Sequence, residues 1–479
     1  MVKRTGFREY DARWLFGSEI NLMGVQALGM GIGTLIAERG VRQEVVVGHD
    51  FRSYSASIKL ALTTGLMAVG CRVHDIGLAV TPMAYFAQFE LDVPAIAMVT
   101  ASHNENGWTG VKMGCDRPLT FGPEEMSRLT EIVLEGRFAA SRGGSYVFHE
   151  NFPDRYVADL TRRAKIAHPL KVVAACGNGT AGAFAERILS AVGVEVVPLD
   201  TTLDWTFPRY NPNPEDLAML HAIRDEVLRT GADVGLGFDG DGDRCGVIDD
   251  TGEEIFADKV GVMLARDLAK VHARPTFVVD VKSTGLYHTD DVLKDLHVTT
   301  DYWKTGHSYI KRRVNELGAL AGFEKSGHYF FNAPIGRGYD DGFVSALAII
   351  DMLDRNPGKK MSELRAALPK TWSSPTMSPH CGDEVKYRVV EKVTARLLEM
   401  KAKGETLDGA AIVDVNTVNG IRVTTVDGTW GLIRASSNKP ELVVVIESPA
   451  SEARYRAMFH AMDAVLRQNP EVGAYNQTI

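Results

Sequence analysis

The chain has 479 residues, 45% hydrophobic and 24% charged, an ordinary balance for a globular protein and too long for one core, so three or four domains are expected. Its formal net charge of -8 excludes the global positive field that would draw nucleic acid or an anionic membrane. No apolar run follows the basic residues of the N-terminus or approaches the roughly 18 residues of a membrane span, and the five cysteines (Cys71, Cys115, Cys176, Cys245, Cys381) form no C-x-x-C pair, which fits a reducing cytoplasm better than a disulfide scaffold or a zinc site.

In chain order, the first buried strand is expected at Val45-Val46-Val47, ending in Gly48-His49-Asp50 before a helix over 55–70. A second strand over 95–99 runs into Thr100-Ala101-Ser102-His103-Asn104. Strands over 171–175 and 277–281 lead in the same way into Cys176-Gly177-Asn178-Gly179-Thr180 and Lys282-Ser283-Thr284-Gly285. Buried β-branched strands that give way to turns and helices read as α/β units with mostly parallel sheets. Their spacing of roughly one domain each predicts three consecutive similar α/β domains, 1–147, 148–254 and 255–368. Residues 373–379, with two prolines, read as a linker. Beyond it, strands over 420–425, 430–434 and 442–446, a hairpin at Asp427-Gly428 and a helix over 451–467 predict a smaller α+β domain, 369–479.

Four motifs carry chemistry. Ser102 stands on the loop after a strand end, where open α/β sheets commonly bind ligands, and could act as a nucleophile; a simple turn is the competing reading. Asp239-Gly240-Asp241-Gly242-Asp243-Arg244 spaces three carboxylates with glycines, which suits an oxygen-seeking Mg²⁺ or Ca²⁺. An EF-hand is ruled out, because Arg244 stands where that loop needs glycine. Glu324, Ser326 and His328 alternate, so an extended backbone would aim all three at one side, toward a polyol or simply toward solvent. Arg434-Ala435-Ser436-Ser437-Asn438-Lys439-Pro440 offers a guanidinium, hydroxyls and an amide as a phosphate nest, or else forms an ordinary hairpin loop. One motif falls in each expected domain, as a phosphosugar reaction in a shared cleft would require.

With these motifs the chain resembles the α-D-phosphohexomutase superfamily, and within it the bacterial phosphomannomutase/phosphoglucomutase group. The resemblance runs from Phe7-Arg8-Glu9-Tyr10-Asp11-Ala12-Arg13 to the loop beginning at Arg434. It implies four domains around a central cleft, with phospho-Ser102 as phosphoryl carrier and Mg²⁺ held by Asp239, Asp241, Asp243 and the serine phosphate. Glu324 and Ser326 would contact sugar hydroxyls, and Arg434, Ser436, Ser437 and Asn438 the non-reacting phosphate. Tyr10, Arg13, Lys112, Arg244, Lys282, His307 and His328 match further cleft positions. Two departures stand out. Glu105-Asn106 replaces a usual proline region, and Lys325 replaces a usual methionine, which would add a positive charge near the sugar.

The implied reaction moves phosphate between O1 and O6 of mannose or glucose through a hexose 1,6-bisphosphate that turns around in the cleft. Lys112 is the expected base with Arg13 nearby and His103 second, and neighbouring cations are expected to lower the lysine pKa. Phosphorylated hexoses are the expected partners of a monomer or dimer. A phosphoglucosamine mutase and a non-catalytic phosphosugar-binding protein are the alternatives.

Overall fold

A computed structural model describes residues 1–162, 165–437 and 439–479. Three successive sheets carry the α/β part. The first has the order Ala12–Leu15, Trp108–Gly114, Ala95–Val99, Glu44–His49, Arg72–Leu78, Ser145–Phe148. Its Glu44–His49, Ala95–Val99, Arg72–Leu78 and Ser145–Phe148 strands are parallel, and Trp108–Gly114 runs against its neighbours. The second orders Glu254–Ile255, Cys245–Asp249, Val234–Phe238, Lys171–Ala175, Glu195–Leu199, and the third Thr299–Trp303, Thr276–Asp280, Ala321–Phe323, Tyr329–Phe331. Each has a parallel centre flanked on one side by antiparallel pairing, two strands in the second sheet and one in the third.

Period-2 alternation sends successive side chains to opposite faces. Val45 and Val47 enter one core, under the first sheet, and Val46 enters another. That second core continues through Val172, Leu236, Phe277 and Phe323, so one apolar body joins the first three sheets. The central strands are buried on both faces, which is why they read as continuous apolar runs.

The fourth sheet is antiparallel, in the order Trp372–Ser373, Leu442–Ser448, Trp430–Ala435, Ile421–Thr425, Ala410–Asn416, Thr406–Leu407. The helices Lys386–Lys403 and Glu452–Leu466 cover one face and close a separate core. The architecture is therefore three α/β domains followed by an α+β domain. The expected linker over 373–379 is not a free connection. Ser374 N donates to Ile446 O (2.9 Å) and Met377 N to Val444 O (3.0 Å), so it runs along the edge of the fourth sheet. An edge has one row of backbone groups free of the ladder, and prolines fit there. Among the described residues, no helix is long and apolar enough to cross a membrane.

Candidate active site

Ser102 follows the strand Ala95–Val99 and has φ +50°, a left-handed backbone unusual for serine. Two arginines grip its loop by the carbonyls. Arg13 donates to Ala101 O (2.9 Å) and to Asn104 Oδ1 (2.8 Å). Arg52 donates to Ser102 O (2.9 Å) and Asn104 O (2.7 Å), and its guanidinium pairs with Asp50. Asp50 also accepts from Ala101 N (3.2 Å). The sequence reading missed Asp50 and Arg52. Their signal was a charged pair just after the Val45-Val46-Val47 run.

The Asp239 loop begins where Val234–Phe238 ends and meets Ser102 from the second domain. Asp239 Oδ1 accepts from Asp243 N (3.1 Å) and Arg244 N (3.2 Å), which curls the loop. Gly242 has φ +72°, and a Cβ on Gly240 would fall 2.5 Å from Ser102 O. The glycines therefore serve both the turn and the close approach of the two loops. Ser102 Oγ donates to Asp239 Oδ2 (3.0 Å) and lies 3.2 Å from His103 Nδ1. Arg244 Nε holds Asp239 Oδ2 at 3.1 Å, and its terminal nitrogen contacts His103.

The three carboxylates are fully buried, with one oxygen of each within 4.8 Å of the others. Asp241 Oδ2 accepts from Thr81 Oγ1 (2.6 Å) and Lys112 Nζ (2.9 Å), and Lys112 also contacts Asp243 Oδ2. Asp241 Oδ1 accepts no hydrogen bond, and Asp243 Oδ1 faces only His328 Nε2, at 3.4 Å. Two buried carboxylate oxygens so poorly supplied with donors, in an all-oxygen set, fit a hard divalent cation. Burial and its two acidic neighbours push Asp239 up to about 7.

Burial opposes the charge of Lys112, but Asp241 and Asp243 outweigh it and raise its pKa. This reverses the expected lowering, because the groups that touch Lys112 are anions. Burial, followed by Arg244 and Arg13, holds His103 well below its ordinary value. His307 is likewise held neutral by burial and by Lys311 and Lys112. His328 differs. Burial works against its charge, yet Asp243 and Glu324 raise it to about 9.

Glu324, Ser326 and His328 do meet, but not along an extended strand. The strand ends at Phe323, and Gly327 N turns back to Glu324 O (3.1 Å) with φ +90°. The turn brings Ser326 Oγ to 3.1 Å from His328 Nδ1, which lies 3.2 Å from Glu324 Oε2. Glu324 Oε1 accepts from Gly306 N (2.6 Å), and Tyr10 sets its ring edge-on to His307 at 4.8 Å. Lys325 lines the same cavity as Lys282 and Ser326, with its ammonium 3.6 Å from Asp258 and 5.2 Å from the Phe256 ring centroid.

Arg434 ends the strand Trp430–Ala435, is 7% exposed and donates to Ala435 O (2.7 Å), while its Nε has no hydrogen-bond partner. Burial works against its charge, and Tyr10, Asp280 and Glu324 lie close enough to support it. Ser436 Oγ accepts from Lys439 N (3.3 Å), and Ser437 beside it is half-buried. Asn438 lies outside the described residues. Lys282, at 7% exposure, has Nζ 4.0 Å from Asp280. A cavity of about 390 Å³ is lined by Lys282, Ser326, Lys439 and Glu215, so four segments from three domains share one space.

Comparison with known proteins covers nearly the whole chain. Family models described as phosphoglucomutase/phosphomannomutase alpha/beta/alpha domains I, II and III match residues 4–140, 154–252 and 256–372, and the C-terminal domain model matches 384–465. A phosphomannomutase/phosphoglucomutase of Pseudomonas putida is 33% identical over 469 residues, 97% of this chain and 96% of that one. A phosphoglucomutase of Neisseria gonorrhoeae is 30% identical over 480 residues, covering 98% of both. The crystal structure of a phosphoglucomutase/phosphomannomutase family protein from Burkholderia thailandensis superposes with a TM-score of 0.87 at 29% identity, over 98% of both chains. The chain belongs to the phosphoglucomutase/phosphomannomutase family.

Proposed function

We propose that the protein is a cytoplasmic phosphohexomutase that interconverts the 1- and 6-phosphates of mannose, glucose or both. The observation that carries this reading is Ser102 Oγ at 3.0 Å from Asp239, inside a cluster of three buried carboxylates supplied by another domain. Asp239, Asp241, Asp243 and the Ser102 oxygen would hold Mg²⁺, which neutralises phosphoryl charge when bound. Full-length relatives named for this activity support the assignment.

Phosphoryl transfer needs in-line placement and charge stabilisation more than covalent chemistry from the protein. Arg13 and Arg52 orient the Ser102 loop, and Arg244 brings positive charge to Oγ, its NH2 group lying 3.5 Å away. Ser102 gives its phosphoryl group to the free hydroxyl of a hexose phosphate. The proton that this hydroxyl loses ends on Ser102 Oγ, which the transfer frees: the Lys112 ammonium relays it, giving one proton to Oγ as it takes up the other. In the return step the other phosphate goes back to Ser102, and the serine proton passes through Lys112 to the departing sugar oxygen. Lys112 is charged before and after each transfer, in keeping with its contacts to Asp241 and Asp243. Neutral His103, 3.2 Å from Oγ, is a second acceptor for the serine proton.

Glu324 and Ser326 receive sugar hydroxyls, and His328 brings a positive charge beside them. Arg434, Ser436, Ser437 and Asn438, with Lys282, His307 and Tyr10, take the far end of the substrate. The test is intact mass before and after glucose 1,6-bisphosphate. The unaltered chain should gain one phosphoryl group and Ser102→Ala none. Full mutase activity in the alanine variant would sink the reading. A probable phosphoglucosamine mutase of Methanothermobacter thermautotrophicus is also 30% identical over 453 residues, so glucosamine 6-phosphate belongs in the same assay as mannose and glucose 1-phosphates.

A further inference from the structure

The loop that carries Lys282 belongs to the third domain but is held by the fourth. Arg422, on the strand Ile421–Thr425, donates from one nitrogen to Val281 O and Ser283 O, both at 2.8 Å. These carbonyls flank Lys282 on either side. The Arg422 guanidinium lies 3.6 Å over the Trp430 ring and 4.6 Å over Tyr302, so its direction is set by packing.

Glu447, on Leu442–Ser448, closes the other end of the loop. Its Oε1 accepts from Thr284 Oγ1 (3.0 Å), Gly285 N (2.8 Å) and Trp430 Nε1 (3.0 Å). Its Oε2 accepts from Lys259 Nζ (2.6 Å), Ser373 Oγ (2.6 Å) and Thr371 Oγ1 (3.1 Å). Six donors converge on a carboxylate with about four lone-pair sites, and the residue is 2% exposed. Val281 completes the junction by packing with Trp430, Leu432, Val443 and Val445.

An apolar junction alone would bind the two domains as well, because buried charges seldom add stability over well-packed hydrophobic groups. What these charges add is direction, and they spend it on the peptides around Lys282. Trp430 and Arg434 stand four residues apart on one strand, about 13 Å at the usual rise. The junction and the Arg434 loop are therefore two ends of one rigid element.

We propose that Arg422 and Glu447 are positioning residues that lock the Lys282 loop to the fourth sheet, so that Lys282 and Arg434 meet the substrate as one unit. The proposal rests on the reading of the cleft as a phosphohexose site. Neither residue lines the cavity that Lys282 lines, so both act through Lys282.

A double-mutant cycle separates this from a merely structural role. The affinity of the full chain for glucose 1,6-bisphosphate is measured by calorimetry for the unaltered protein, Glu447→Gln, Lys282→Ala and the double variant. Glu447→Gln should weaken binding about tenfold, the weight of one buried charge-assisted hydrogen bond. In the Lys282→Ala background the same change should cost little. Arg422→Met should repeat the loss, and Arg422→Lys should recover most of it, since an ammonium can still serve both carbonyls. The proposal is overturned if the glutamate effect persists in full without Lys282, or if the variants melt lower with unchanged affinity. Should Glu447→Gln fold poorly, the Arg422→Met and Arg422→Lys pair in the two Lys282 backgrounds makes the same test. A chain that binds the bisphosphate but turns over no hexose phosphate would sink the proposed function and leave this cycle readable.

Discussion

Asp241 and Asp243 each turn one oxygen to Lys112; the other oxygen of Asp241 has no donor and that of Asp243 has only His328 Nε2, at 3.4 Å. An orphaned buried acceptor costs about 1–3 kcal/mol, and more when charged. A cation that satisfies both oxygens should therefore stabilise the native chain by mass action. Mutase activity should vanish in EDTA and return with Mg²⁺. Added Mg²⁺ should raise the melting temperature of the unaltered protein but not that of Asp241→Asn. Equal shifts in both would place the ion elsewhere. Lys112 makes a second prediction at this scale. As the proton carrier, its replacement by Met should lower kcat roughly 100-fold or more, with KM changed far less, as initial rates with glucose 1-phosphate would show.

A single element, the loop after Ala95–Val99, sets the angle of Ser102, and the strand beside it supplies the clamp. Asp50 and Arg52 follow Glu44–His49, which pairs in parallel register with Ala95–Val99, so both strand ends open on the same edge. The Asp50–Arg52 pair is almost fully buried, and breaking such a pair typically costs about 3–5 kcal/mol. Arg52→Met should lower unfolding stability by that order in urea. It should also slow phosphoryl uptake by Ser102, read as mass gain over time, because two carbonyls of the loop lose their donor. Uptake at the normal rate would show that the left-handed Ser102 backbone is held by the remaining contacts alone. This clamp was poorly legible in the sequence. The strand over 45–47 was plain from its valines, but nothing local says that Arg52 reaches carbonyls some fifty residues away.

At the scale of the whole molecule, the first three domains share one apolar core, and polar groups cross between them inside it. Asp341 caps the helix Gly342–Asp354 through Phe343 N (2.9 Å) and Val344 N (3.1 Å), and it accepts from Tyr156 OH (2.8 Å), joining the second and third domains. Burial pushes this carboxyl up to about 7 from an ordinary value near 3.8. Between these values the folded chain keeps a proton that the unfolded chain has released. The contribution of Asp341 to stability therefore falls as pH rises from about 4 to about 7 and is level above that. Asparagine keeps the cap without the charge. The melting temperature of Asp341→Asn relative to the unaltered chain should thus climb across this window and then stay constant. A difference independent of pH would refute the shift.

Local pattern determined much of this protein. Valine runs marked the buried strands, alternating Asp and Gly marked a cation loop, and the Arg434 motif marked the fourth domain, because each is written within a few consecutive residues. Several features were decided by the tertiary structure. Lys112 became an ammonium because the second domain brings Asp241 and Asp243 onto it. Lys325 took its place on the cavity wall beside Ser326, where Asp258 offers its ammonium a carboxylate. The turn at Gly327, and not an extended strand, gathered Glu324, Ser326 and His328. Charge state and side-chain direction depend on which distant groups come within a few ångströms, and only the folded chain brings them there.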